Sequence, residues 1–292
     1  MSIDPLGYGW VGRMSEGLHA RIGIDIGRKA RLEDALAWAA SRSVRYLDVE
    51  LDAGPNALGT LDAERIRTIR ALVERHDLRL GLHTLSAVNT AEYSPFLAEA
   101  TDAYLRAYID LAPRLGAGWI VVHAGYHFTS DKPARVEAGL QRLQRATDHA
   151  ERAGTVLLLE NLNKEPPEAE VRYLAHTVDE WRTYYDRISS PAFGLAFTAN
   201  HAHLLPEGVE GFVDAIPMER VREVRLADCW RNGSEVHLKP GEGDFDFGDL
   251  IRRLAAKGFA GHYMNAFGSI DDMEAARDGL VERARAAGVE VE

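Results

Sequence analysis

The chain has 292 residues, of which 46% are hydrophobic and 27% are charged, a composition typical of a globular protein with a sizeable core. Its formal net charge of −11 argues against a nucleic-acid partner, because neutralising phosphates requires clustered lysine and arginine. The single cysteine excludes an internal disulfide and a cysteine-based metal cluster within one chain.

The N-terminal sequence MSIDPLGYGWVGRMSEG has no basic segment followed by an apolar run, so no signal peptide is predicted. No stretch approaches the roughly 18 consecutive apolar residues of a membrane span. We therefore expect a soluble, cytoplasmic protein without a membrane partner, and the cysteine content fits a reducing compartment. The sequence leaves the oligomeric state open, a homo-oligomer included.

Eight short apolar runs alternate with longer segments of helical period from about residue 20 onward. Most of the runs are rich in leucine or β-branched residues and show little polar alternation, which is typical of parallel strands covered on both faces. The predicted strands are 21–26, 44–51, 78–83, 118–123, 155–160, 193–198, 221–228 and 262–267.

The segments between these runs have the features of helices. Residues 32–39 carry apolar side chains at the spacing i, i+3, i+4, i+7 of one buried helix face. Helix starts are indicated by Ser94-Pro95, where a cap precedes a first-turn proline, and by the capping box Thr177-Val-Asp-Glu180. The loop 163–170 contains two prolines, so it continues neither the strand before it nor the helix after it.

Strands that alternate with helices eight times in a chain of this length predict an α/β fold, the (β/α)8 TIM barrel. We expect one barrel domain over residues 21–292 and an N-terminal extension over residues 1–20. A doubly wound sheet is the alternative, but it would leave two or three of the predicted strands without a place.

Polar side chains recur where the predicted strands end, and a TIM barrel has its active site at that end of its strands. His83 ends the third strand, His123 ends the fourth, and Glu160-Asn161 ends the fifth. Glu160 closes an unbroken apolar run, so its carboxylate needs a partner to offset desolvation. Further candidates follow in the later strands and loops: Thr198, Asn200, His201, Arg225, Asp228, Glu235, His237 and Asn265.

These residues lie in motifs that resemble the xylose isomerase-like TIM barrels. That superfamily includes sugar isomerases and epimerases, inosose dehydratases and the endonuclease IV class of AP endonucleases. The resemblance covers roughly residues 20–290. It rests on LRLGLHTLSAVNT, GAGWIVVHAGYH, LLLENLN, GLAFTANHAHLL, and EVHLKPGEGDFDF followed by KGFAGHYMNAFG.

The resemblance to the epimerase-like members implies a remodelled metal centre. Those members hold one divalent cation with a Glu after the fifth strand, an Asp after the sixth, a His on the seventh and a Glu on the eighth. Glu160 keeps the first position, whereas the others fall on Thr198, Arg225 and Ala266, the last beside Asn265. Their standard mechanism pairs two carboxylates as acid and base around one cation, so these replacements argue against it here.

The zinc pattern of the endonuclease IV class is better preserved. The matching residues surround two of its ions: His83, His123 and Glu160 around one, and His201, Glu235 and His237 around another. Imidazole and carboxylate ligands suit Zn²⁺, Mn²⁺ or Fe²⁺. The alternative is a metal-free polar pocket in which Arg225 binds an anionic substrate bidentately.

Three functions stay open. The leading hypothesis is an isomerase, epimerase or related lyase for a small sugar, polyol or hydroxy-acid metabolite, acting by proton abstraction next to a carbonyl. Glu160 is then the base, His123 and His237 are metal ligands or acid partners, and Arg225 holds a carboxylate or phosphate. The residues assigned to substrate binding are His83, Asn161, Thr198, Asn200, Asp228 and Asn265. The second hypothesis is a metal-dependent hydrolase or phosphodiesterase, and the third is a non-catalytic barrel that binds a metabolite or a partner protein.

Overall fold

Eight parallel strands close into a barrel in a computed structural model that describes residues 16–231 and 233–292. The strands of the described chain are β1 (Ile22–Gly27), β2 (Tyr46–Glu50), β3 (Arg79–His83), β4 (Ala117–Val122), β5 (Tyr126–Phe128), β6 (Val156–Glu160), β7 (Val171–Tyr173), β8 (Phe193–Thr198), β9 (Val221–Leu226) and β10 (His262–Asn265). Around the barrel the order is β1, β2, β3, β4, β6, β8, β9 and β10, and β10 pairs with β1. Each predicted strand corresponds to one barrel strand, so the predicted TIM barrel is confirmed.

Helices connect the strands and cover the outside of the barrel. They are α1 (Leu32–Ser41), α2 (Ala63–Arg75), α3 (Pro95–Leu115), α4 (Lys132–Ala153), α5 (Val178–Tyr185), α6 (Ala199–His203), α7 (Gly208–Ala215), α8 (Phe247–Ala256) and α9 (Ile270–Ala286). Short 3₁₀ helices lie at Leu18–Arg21, Gly54–Asn56, Leu58–Thr60 and Met218–Arg220. No helix in the described part of the chain is long and apolar enough to cross a membrane.

The helix boundaries follow the local signals in the sequence. The predicted face of α1 is buried at all four of its apolar positions. The Thr177 hydroxyl accepts the amide of Glu180 and caps α5, as the capping motif predicts. Helix α3 begins at Pro95, although the Ser94 side chain makes no capping hydrogen bond.

The predicted N-terminal extension, residues 1–20, is only partly within the described chain. Residues 1–15 lie outside it. The remaining residues lead into the 3₁₀ helix Leu18–Arg21, whose first residue is buried in the core. The Leu18 amide donates to the Val291 carbonyl at 2.9 Å, so the described N- and C-terminal segments are in contact.

A second, smaller sheet accompanies the barrel. Strands β5 and β7 pair antiparallel, with Tyr126 opposite Tyr173 and Phe128 opposite Val171. They belong to the connections that follow β4 and β6. The sequence analysis did not predict this sheet, because two three-residue strands far apart in the chain give no periodic signal of their own.

Alternate side chains of the strands fill the barrel interior. A cluster separate from the main core consists of Trp119, Val121, Val156, Leu158, Ala196 and Met264. Successive side chains of a strand alternate between its two faces. Glu160 follows Leu158 by two residues and Thr198 follows Ala196 by two, so both polar side chains point into the barrel at its carboxyl end.

Candidate metal centre

His83, His123 and Glu160, which we call the inner triad, meet at the carboxyl ends of β3, β4 and β6. The distances are 3.2 Å between the two Nε2 atoms, 3.0 Å from His123 Nε2 to Glu160 Oε2, and 3.4 Å from His83 Nε2 to the same oxygen. Ligand bonds of about 2.0–2.1 Å in a tetrahedral site separate the ligand atoms by about 3.3 Å. The inner triad therefore has the dimensions of three ligands around one cation.

Thr84 fixes the tautomer of His123. The Thr84 hydroxyl donates to the Val121 carbonyl at 2.9 Å, and its oxygen lies 3.3 Å from His123 Nδ1. Since the hydroxyl proton is already used, we assign the proton of this contact to Nδ1. The Nε2 lone pair of His123 then faces His83 and Glu160, which is the state in which imidazole binds a metal ion.

The electrostatics of the inner triad favour the same protonation states. Burial raises the pKa of Glu160, but its contacts with the imidazoles of His123 and His83 outweigh this effect and hold the pKa well below its usual range. The Thr198 hydroxyl also donates to Glu160 Oε1. Burial lowers the pKa of His123. An ionised carboxylate thus lies beside an imidazole that favours its neutral form.

His201, Glu235 and His237 form a second group, the outer triad, whose ligand atoms lie within 4.8 Å of one another. Glu235 Oε1 is 2.6 Å from His237 Nε2 and 3.8 Å from His201 Nε2. His201 Nδ1 donates to the Asn161 carbonyl at 2.8 Å, and His237 Nδ1 donates to the Ala266 carbonyl. Both imidazoles are therefore oriented through Nδ1, with Nε2 directed toward the carboxylate.

Glu235 and His237 form a close pair within the outer triad. Contact with His201 and the short hydrogen bond from His237 hold the pKa of Glu235 below its usual range. Burial lowers the pKa of His237, but the hydrogen bond to Glu235 and its charge raise it overall.

The two triads adjoin each other at the barrel mouth. His201 Nδ1 lies 3.8 Å from Glu160 Oε1. The His237 side chain is 39% exposed, whereas that of His123 is 3% exposed. The outer triad is therefore open to solvent at His237, and the inner triad is partly open at His83, whose side chain is 19% exposed.

Arg225 is placed differently from the sequence expectation. Its Nη1 donates to Asp48 and to Glu223, each at 2.6 Å, and its Nη2 donates to Asp25. The residue is 2% exposed. An anionic substrate needs a free guanidinium edge that faces the mouth, and this guanidinium is already bound by carboxylates of the protein. The predicted role in binding a carboxylate or phosphate has no support in this geometry.

Asp228 also has its polar atoms occupied by the protein. Its side chain accepts the amides of Cys229, Gly241 and Phe245 at distances of 2.7 to 3.0 Å, and the residue is fully buried. Asp228 therefore organises the loop that carries Glu235. The sequence analysis assigned Asp228 to substrate binding, but both of its carboxylate oxygens are bound by amides of this loop.

The predicted asparagines are buried behind the triads. Asn161 joins the ends of β6 and β8 by donating to the Thr198 carbonyl at 3.1 Å and accepting its amide at 2.7 Å. The Asn265 side chain donates to the Met273 carbonyl at 2.8 Å. Neither these two residues nor Asn200 exceeds 1% exposure. Among the predicted substrate-binding residues, the partly exposed His83 has the clearest access to the mouth.

Three site residues were missed from the sequence: Asp25, Asp48 and Glu223, the partners of Arg225. Each has its side chain directed into the barrel, and the strand residue two positions away points the same way. The available signal was a carboxylate inside an otherwise apolar strand, for example Asp25 in IGIDIG. Periodicity could not identify it, because strands buried on both faces do not reveal which face lines the barrel.

The closed parallel barrel has polar residues gathered at the carboxyl ends of its strands, where TIM-barrel proteins have their functional sites. The sequence model of the xylose isomerase-like TIM barrel family matches residues 36–283, and the chain belongs to this family. Probable endonuclease 4 of Methanoculleus marisnigri is 30% identical over 156 residues, which is 48% of this chain and 52% of that protein. Fructoselysine 3-epimerase of Shigella flexneri is 25% identical over 245 residues, 80% of this chain and 84% of that protein.

Solved structures show the same fold. A D-tagatose 3-epimerase-like protein superposes with a TM-score of 0.76 at 20% identity, covering 92% of this chain and 98% of that chain. D-psicose 3-epimerase of Clostridium cellulolyticum H10 superposes with a TM-score of 0.74 at 15% identity, covering 91% of this chain and 99% of that chain. At these identities the similarity establishes the fold alone.

Proposed function

We propose that this protein is a divalent-metal-dependent enzyme of the isomerase or epimerase type, acting on a small sugar, polyol or hydroxy-acid metabolite. The observation that carries the proposal is the inner triad, whose ligand atoms are 3.0 to 3.4 Å apart at the catalytic end of the barrel. The similarity to fructoselysine 3-epimerase along 80% of the chain supports this reaction class.

The donor set of the inner triad fits a divalent cation such as Zn²⁺, Mn²⁺ or Fe²⁺. His83, His123 and Glu160 would hold it. A cation bound there supplies polarisation of a substrate carbonyl or hydroxyl, which acidifies the neighbouring carbon.

Glu160 is the base of the proposed reaction. Burial alone would favour its protonated form, and the neighbouring imidazoles of His123 and His83 together with the hydrogen bond from Thr198 keep it ionised and able to accept a proton. His237 is the acid partner. It hydrogen-bonds to the Ala266 carbonyl, so its imidazole lies beside the position at which epimerase-like relatives have their second carboxylate.

Solvent deuterium incorporation tests this assignment. The metal-loaded protein is incubated in D₂O with a panel of ketoses and keto-polyols, and exchange next to the carbonyl is followed by NMR. For a compound that exchanges, Glu160→Gln should slow the exchange by about 10²-fold or more, the usual contribution of a positioned base. Glu99→Gln, on an exposed position of α3, is the matched control and should exchange at the parent rate. Undiminished exchange by Glu160→Gln would refute the assignment.

The second candidate is a metal-dependent hydrolase or phosphodiesterase. It is favoured by the outer triad, which offers a second cation site next to the inner one. This function predicts two bound transition-metal ions per chain and cleavage of a model phosphodiester without carbon exchange. The non-catalytic alternative predicts a metabolite that raises the melting temperature but is neither exchanged nor cleaved.

A further inference from the structure

The centre of the barrel mouth contains one guanidinium among four carboxylates. Besides its bonds to Asp25, Asp48 and Glu223, Arg225 places Nε 3.9 Å from Glu160 Oε1. In the strand register Arg225 is level with Thr198 on one side and with Met264 on the other. It therefore lies at the height at which the resemblance places the cation ligands of epimerase-like relatives.

The barrel floor anchors this cluster. Glu223 Oε2 accepts Trp119 Nε1 at 2.7 Å and lies 3.1 Å from His262 Nε2. All three residues are at most 1% exposed. The opposite oxygen of Glu223 is the one that binds Arg225. Both oxygens of Glu223 therefore have partners, and these contacts fix the carboxylate that binds the guanidinium from the barrel floor.

The residues at this position do not fit a metal ion. The positions expected to supply an Asp, a His and a Glu are Thr198, Arg225 and Ala266, and a guanidinium excludes a cation from the space that it fills. The carboxylates around it are those that a cation would otherwise attract.

We propose that Arg225 is a built-in cation. Its guanidinium replaces the metal ion at the centre of the site, binds Asp25, Asp48 and Glu223, and positions Glu160 beside His83 and His123. The proposal rests on the proposed function only for the role of Glu160. The replacement itself concerns charge and packing, and it stands whether or not the substrate is a sugar.

As a positioning residue, Arg225 confines exchangeable cations to the two triads. Its charge is covalently attached, so chelators do not remove it. The metal-stripped protein should therefore keep its folded barrel and lose only the ions of the triads.

Substitutions of Arg225 test the proposal on protein treated with chelator, before any activity is measured. Arg225→Met keeps much of the volume but leaves the buried carboxylates without their cation, so the melting temperature should fall by roughly 10 °C. Arg225→Ala leaves a guanidinium-sized space, and millimolar methylguanidinium should recover most of the loss, whereas tetramethylammonium at equal concentration should not. Arg225→His should take up one more divalent cation per chain than the parent when metal is returned.

If Arg225→Met does not fold, a second variant, called the neutralised variant, tests whether unpaired carboxylates are the cause. Combining Arg225→Met with Asp48→Asn and Glu223→Gln removes two of the three carboxylates that bind the guanidinium and should restore a cooperative transition. The proposal is overturned if Arg225→Met melts at the parent temperature, if methylguanidinium fails to stabilise Arg225→Ala, or if neither Arg225→Met nor the neutralised variant folds. Failure of the proposed function would appear separately, as absent deuterium exchange by a parent protein whose Arg225 variants behave as described.

Discussion

Replacing Thr84 by valine isolates the orientation of one imidazole from the rest of the inner triad. The Thr84 oxygen is the partner of His123 Nδ1, and valine keeps the shape of the side chain while removing that acceptor. His123 then loses the contact that fixes its tautomer and ring orientation. We expect weaker binding of a cation by the inner triad with little change in the fold.

The magnitudes of the two effects differ enough to be separated. Losing a hydrogen bond to a metal-binding imidazole typically costs 10- to 100-fold in metal affinity, or about 1.4–2.7 kcal/mol. The cost to folding should be about 1 kcal/mol, because the Val121 carbonyl keeps the amide of Thr84 at 3.0 Å when the hydroxyl is removed. The substitution should therefore raise the dissociation constant for the metal ion by more than a small loss of overall stability would.

Isothermal titration with Mn²⁺ and urea denaturation measure the two quantities. Thr155→Val is the matched control, because Thr155 is fully buried and its hydroxyl has no hydrogen-bond partner within residues 16–231 and 233–292. It should leave the metal affinity unchanged. Equal metal affinities for Thr84→Val and the parent would refute the assigned tautomer and its part in cation binding.

Two further predictions concern the scaffold. Glu33 accepts Nε and the terminal nitrogen Nη2 of Arg65 at 2.7 and 2.8 Å, and chiefly this hydrogen bonding lowers its pKa to about 2. The stabilisation is present above pH 4.5 and is lost as the pH falls toward 2. Glu33→Gln should therefore lower the free energy of unfolding, measured by urea denaturation, by about 1–3 kcal/mol at pH 7 and by less than half of that at pH 3. An equal loss at pH 7 and pH 3 would contradict this pH dependence. Gly81→Ala would place a methyl group against the Trp119 ring and should cost about 3 kcal/mol in thermal denaturation, whereas Gly279→Ala, with open space around it, should be neutral or slightly stabilising. Similar melting temperatures for the two alanine variants would contradict the packing argument.

The sequence was sufficient for the barrel because its strands are local and regular. The sixth predicted strand, 193–198, has the same bounds as β8. The prediction for 221–228 extends beyond β9, which ends at Leu226, because Asp228 has left the strand and forms an isolated antiparallel bridge with Leu238. Apolar periodicity does not distinguish a barrel strand from the bridge that continues it.

The members of the two triads were predictable from strand ends and the loop that follows, the resemblance to the endonuclease IV class implied their grouping, and the structure brings each set together. The setting of Arg225 was not predictable. Its partners Asp25 and Asp48 lie 200 and 177 residues earlier in the chain, and only closure of the barrel brings them to the guanidinium. The sequence presented Arg225 as a free cation beside a carboxylate site, and the closed barrel makes it an internal ion pair.

The metal content of the protein tests the central claim most directly. The parent, Glu160→Gln and Glu99→Gln are purified without chelator, equilibrated with Mn²⁺ or Zn²⁺, dialysed and analysed by inductively coupled plasma mass spectrometry. We predict at least one tightly held ion per chain in the parent and in Glu99→Gln, with one ion fewer in Glu160→Gln. A parent protein without stoichiometric metal, or a Glu160→Gln variant with undiminished content, would contradict a metal centre at the inner triad.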